Sequence, residues 1–151
     1  MNQESPTRKT TERLSDYLRP ENGQIALSIP DGVLPAFLIE AYNATIEGYT
    51  QRAIAALTQQ NIDRVDQMVA NQRRGGVASL LTLAIVLQRL ERQEEALQCY
   101  ERLNAIDAHA LLFNEQAGLH RIRGRYSQAL HCRRRALDLD PDNQHIFQVY
   151  V

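Results

Sequence analysis

Tryptophan is absent from this 151-residue chain, cysteine occurs only twice, and there are just seven glycines and five prolines. Two cysteines cannot make the disulfide framework of a small secreted scaffold. Long apolar runs are missing too: none approaches the roughly 20 residues that a membrane-spanning helix needs. The opening "MNQESPTRKTTERLSDYL" has no apolar core of the secretory kind. A cytoplasmic protein without membrane insertion is the expectation. Strong charge of either sign is also lacking, with a formal net charge of −1, so no polyanionic partner is demanded. Lysine is nearly missing, Lys9 being the only one among seventeen basic residues, which fits a genomic composition bias.

What fills the chain instead is Ala, Leu, Gln, Arg and Glu, the strong helix formers. With 44% apolar and 23% charged residues, the length suits one all-α domain. Residues 1–24 are polar, end on the breaker "RPENGQ", and read as a partly disordered arm. Leu14 and Leu18, four apart, allow a short helix around Thr11–Leu18. After "QIALSIPDG", residues 25–151 are helical text almost throughout, "VASLLTLAIVLQRL" being apolar nearly all round. Gly75-Gly76 marks a stop.

Two stretches are nearly the same helix: "EEALQCYERL" and "SQALHCRRRAL" stand 33 residues apart. Helices of this length on very short turns, at such a period, predict stacked helical hairpins that bury one another's apolar faces. The pattern resembles the tetratricopeptide repeat, a unit of about 34 residues. Its signature lies most fully on repeat 110–143, in Phe113, Ala117, Gly124, Tyr126, Ala129, Ala136 and Pro141. Gln116 and Arg133 depart from it, where the family has apolar or aromatic residues. Repeat 77–109 carries Leu80, Ala84, Ala96 and Tyr100 but lacks the turn glycine. Phe37, Ala41, Gly48 and Ala53 place a first repeat at 34–62, leaving an extra helix at about 62–74 and a capping helix at 144–151. A rival register puts Val65 where Ala53 stands. The resemblance implies a right-handed superhelix of about three hairpins, in which the recurring alanines are close helix crossings.

Catalytic and metal chemistry find little support in the text. His109, His120, His131 and His145 form no Ser-His-Asp set and no HExxH. Cys99 and Cys132, at equivalent repeat positions, are expected about 8–10 Å apart as free packing thiols. No cofactor is expected, and the protein reads as a non-enzyme. The segment 112–137 gathers Arg121, Arg123, Arg125, Arg133, Arg134 and Arg135 against Glu115. It reads first as a solvated face balanced by Asp138, Asp140 and Asp142. An acidic partner comes next, and nucleic acid last for want of stacking aromatics.

The resemblance implies a concave groove lined by the first helix of each hairpin. Carried onto this chain, its lining is Leu38, Tyr42, Thr45 and Ile46, then Ala78, Leu81, Ile85, Gln88 and Arg89, then Leu111, Asn114, Gly118, Arg121 and Ile122. That is an apolar strip with an arginine rim, suited to an apolar or amphipathic segment of another protein. The alternative is that the N-terminal arm or a second copy of the chain, as in a homodimer, covers it. Size, the "IPDG" lead-in and "LTLAIVLQRLERQEEALQCYERL" are also similar to the small chaperones of type III secretion translocators, so chaperone-like binding is a further expectation.

Overall fold

The computed structural model describes residues 12–21 and 24–142. Seven α-helices carry most of them: α1 (Ala36–Glu47), α2 (Thr50–Ala56), α3 (Gln59–Ala70), α4 (Gly76–Arg89), α5 (Gln93–Ile106), α6 (Ala110–Ile122) and α7 (Tyr126–Leu139). Helix pairs α1/α2, α4/α5 and α6/α7 are hairpins, while α3 packs on α4 and α1 also reaches α4. The capping helix expected at 144–151 and residues 1–11 of the arm lie outside the described residues.

Four of these helices stop in the same way. A left-handed residue follows α1, α3, α4 and α6 at Gly48, Gln72, Glu91 and Gly124. The next N–H then bonds back five residues: Tyr49 to Ala44 O, Arg73 to Met68 O, Arg92 to Leu87 O and Arg125 to His120 O, all at 2.8–2.9 Å. This closure satisfies helix-end carbonyls and turns the chain sharply. The missing glycine of the middle hairpin thus does not change the turn; Glu91 adopts φ 62° instead.

The surplus segment is α3, which starts earlier than the expected 62–74. Thr58 caps it, its hydroxyl accepting from Asn61 N at 3.1 Å, so only Leu57 and Thr58 separate it from α2. Gly75-Gly76 opens α4 rather than merely closing α3. Any side chain on Gly75, at φ 85°, would meet Val33 O at 2.5 Å.

The arm departs most from expectation. Leu14–Asp16 form one 3-10 turn, not the helix suggested over 11–18. Leu18–Glu21 (β1) then pairs antiparallel with Gln24–Leu27 (β2), Leu18 opposite Leu27. Leu14, Tyr17 and Leu18 are buried in the same core as α1, α4 and α5. The boundary drawn at residue 24 therefore cuts through a packed hairpin, because the arm's few apolar residues are spent on the core. The Glu12 carboxylate accepts the N–H groups of Gly75 at 2.8 Å and Val77 at 3.2 Å. A negative charge there satisfies amides that helix α4 leaves open and suits its dipole.

The core centres on α4, buried continuously from Gly76 to Leu87. Ala41, Ala53, Ala84, Ala96, Ala117 and Ala136 show no accessible surface, and Ala129 is 6% exposed. These are crossings where only a methyl group fits. Leu80 and Tyr100 are buried as well. Phe37 and Phe113 are half-buried, each under a guanidinium, Arg64 and Arg135 respectively. Tyr126 departs from its signature role: it opens α7 and is 70% exposed. Pro141 sits in the exposed turn after α7. Among the described residues, no helix is long and apolar enough to cross a membrane.

Candidate partner-binding face

Polar contacts link α1 to α4 and α4 to α6. Arg89 of α4 lies over the Tyr42 ring of α1, 4.8 Å from its centroid. Its guanidinium also donates to Thr45 Oγ1 at 3.2 Å, and that hydroxyl in turn donates to Tyr42 O at 2.7 Å. Toward α6, Gln88 Nε2 donates to Glu115 Oε1 at 3.1 Å. Beneath, the Tyr100 hydroxyl of α5 donates to Gln88 Oε1 at 2.6 Å. One face therefore runs from Tyr42 through Arg89 and Gln88 to Glu115.

The expected groove lining divides in two on this face. Leu38, Ala78 and Leu81 have no exposed surface, and Ile85, Leu111 and Asn114 are also buried. All six are buried, and of them Ile85 keeps 9% of its surface and faces a depression. Ile25, Leu27 and Ile29 of the N-terminal segment pack against the same cluster. Tyr42, Thr45, Gln88 and Gly118 are half-exposed, and Ile46, Arg89, Arg121 and Ile122 are exposed. The open part is the C-terminal half of each helix.

Two depressions mark it. One, of about 300 Å³, is lined by Ile25, Ile85, Gln88, Arg89, Tyr100 and Glu115. The other, of about 480 Å³, is lined by Gly118, Arg121, Ile122 and Tyr126. In the first, burial holds the Glu115 carboxyl above the usual carboxylate range, partly offset by the Gln88 hydrogen bond. Burial also raises the Tyr100 hydroxyl well above its ordinary value. Glu115 was not among the expected lining residues. The signal for it was weak: one acid in "ALLFNEQAGLHRI", an otherwise neutral and apolar helix until His120.

The arginine-rich segment does not act as one cationic patch. Arg123 and Arg125 both reach Glu94, at 3.0 and 2.9 Å. The hydrogen bond from Arg125 is the main cause that holds the Glu94 carboxyl below its usual range. Arg133 is buried, Arg135 covers Phe113, and Arg121 and Arg134 are exposed. Cys99 and Cys132 are both free and buried, and burial pushes the Cys99 thiol up to about 12. Such thiols are poor nucleophiles and metal ligands at neutral pH. His131 is exposed, burial lowers the imidazoles of His109 and His120, and His145 lies outside the described residues. Among the described residues, no group of three or more His, Cys, Asp or Glu is arranged to hold a metal ion.

Gln116 and Arg133, the two departures from the repeat signature, are both buried. Gln116 accepts from Asn104 Nδ2 and donates to Cys132 Sγ at 3.7 Å. Asn104 Oδ1 in turn accepts from His109 N at 2.9 Å. A hydrogen-bonded polar seam therefore joins the third hairpin to the second, beside the apolar contact that Leu111, Leu112 and Leu119 make with the main core. Comparison with known proteins finds no matching family model, no matching curated protein and no matching solved structure.

Proposed function

We propose that this chain is a non-catalytic scaffold of tetratricopeptide-like hairpins. In this reading it binds an apolar or amphipathic segment of another protein along the concave face of α1, α4 and α6. The observation that carries the reading is the continuity of that face, tied across three helices by the Arg89–Tyr42/Thr45 and Gln88–Glu115 contacts. Exposed Ile46 and Ile122 stand at its rim, 61% and 67% accessible. Apolar side chains held on a polar-rimmed helical face are typical of segment recognition. A translocator chaperone is the special case in which the segment comes from a membrane-active protein.

Leu38, Ala78, Leu81 and Leu111 are buried, so the partner takes the C-terminal halves of the helices. Leu81→Glu is therefore no test of binding, since it places a charge in the core. The test is capture from lysate by the native chain and by an Ile46→Glu/Ile122→Glu variant, with helicity followed by circular dichroism. A protein retained at high salt by the native chain and lost by the equally helical variant supports the reading. Nucleic acid retained only at low salt, and lost on Arg121→Glu/Arg134→Glu, would overturn it.

A further inference from the structure

The pocket between α4, α5 and α6 contains an imbalance of charge. Glu115 is half-buried, and among the described residues its carboxylate receives one hydrogen bond, from the neutral amide of Gln88. Among the described residues no cation pairs with it. Arg89 lines the same pocket, yet its guanidinium is committed to the Tyr42 ring and the Thr45 hydroxyl. Half-buried carboxylates ordinarily lie against a cation or several donors, because removing them from water is costly. The carboxylate is also held in place: Tyr100, 1% exposed, orients Gln88, and Gln88 orients Glu115. Ile25 and Ile85 supply apolar walls that an aliphatic stem would cover. The depression, about 300 Å³, is at the small end of ligand-sized cavities. It matches one side chain better than a whole cofactor.

We propose that this pocket receives the cationic side chain, arginine or lysine, of the bound protein segment, with Glu115 as its counter-ion. The proposal rests on the segment-binding reading and adds a specificity to it. An apolar segment would seat along the rim, and its register would be fixed where its cation meets Glu115. Carboxylate recognition by a guanidinium is directional and bidentate, so this one contact sets orientation as well as position. The tyrosine–glutamine–glutamate relay then serves as a positioning device rather than a core adornment.

The test uses single-residue probes on the full chain. N-acetyl-arginine amide and its neutral isostere N-acetyl-citrulline amide are titrated separately while ¹H–¹⁵N spectra are recorded. The proposal expects saturable shifts of the Gln88 side-chain amide and the Glu115 backbone amide with the arginine probe. They should be lost with citrulline and in Glu115→Gln, whose spectrum should otherwise match the native one. Equal shifts with citrulline, their persistence in Glu115→Gln, or no shift at Gln88 or Glu115 with the arginine probe would overturn it. Because the probe is one residue, it reads the pocket even when capture finds no partner for the rest of the face. Conversely, a captured partner that binds Glu115→Gln as tightly as the native chain sinks the pocket and leaves the groove reading intact.

Discussion

The α4/α5 and α6/α7 hairpins share a turn and a register yet hold together by different means. In the first, Leu83 and Tyr100 occupy two interior positions; 33 residues later the same positions hold Gln116 and Arg133, also buried. Leu81 likewise becomes Asn114, whose Oδ1 is buried without a hydrogen-bond partner among the described residues. The turn itself goes the other way: relaxed Gly124 in the second hairpin, strained Glu91 in the first. Backbone shape in such a stack is set by neighbouring helices, and side chains are then free to satisfy it apolarly or through hydrogen bonds. The first hairpin buries Leu83 and Tyr100 behind a strained turn, and the second buries Gln116 and Arg133 behind a relaxed one.

The largest expected effect lies at the paired positions 81 and 114. Leu81→Ala should cost about 2–5 kcal/mol in urea unfolding, as for any large-to-small change in a closed core. Asn114→Leu keeps the branching of the side chain and removes an unpaired buried oxygen, and should stabilise by roughly 1 kcal/mol. If both changes destabilise alike, the contrast between the hairpins is wrong. Next come the alanine crossings. Ala96→Leu should cost about 1–3 kcal/mol from overpacking, and Ala129→Leu less, because Ala129 keeps some accessible surface while Ala96 has none.

At the turns the signs should oppose. Glu91→Gly should raise stability by about 1 kcal/mol, and Gly124→Ala should lower it by a similar amount. Thermal midpoints moving in the same direction would show that the left-handed strain is relieved elsewhere. The smallest effect belongs to the Glu94 bridge between the hairpins. Its carboxyl is held below the ordinary value of 4.5 chiefly by the Arg125 hydrogen bond. The stabilisation is therefore present above that value and lost as pH falls through the lowered one. Glu94→Gln should remove this acid-side slope and little else, with high salt masking the difference.

Much of the helical half was legible in the text, for reasons visible at single residues. The 33-residue echo of Ala96-Leu97 in Ala129-Leu130 located hairpins because small residues mark close crossings. Gly48 and Gly124 marked turns because their backbone is left-handed. No glycine marks the turn at Glu91, which the helical period places instead; there the stack imposes the conformation on a residue that does not favour it. The N-terminal hairpin escapes such a reading because polar residues outnumber the buried Leu14, Tyr17 and Leu18 of its segment. Asn22-Gly23 between Leu18 and Ile25, a two-residue hairpin signal, was read only as a breaker. The candidate face is half legible: period alone places Leu38 and Leu81 on one side of a helix, but cannot show that both are closed off from solvent.

The carboxylate of Glu12 on the first amides of α4 has a consequence for how the chain folds. A linear stack whose members touch only their neighbours can form from either end and fray one hairpin at a time. Here Glu12 reaches 63 residues ahead to Gly75, and Leu14 N reaches 93 residues ahead to Asp107. Those contacts join the segment before α1 to the start of α4 and the end of α5, closing the chain through α1, α2 and α3 into a loop on the stack. Unfolding should therefore be more cooperative than in an open stack. Contacts of such sequence separation also slow folding. During synthesis, residues 12–14 emerge early and must wait for residue 107 before their contacts are complete. The segment that precedes the stack is seated last.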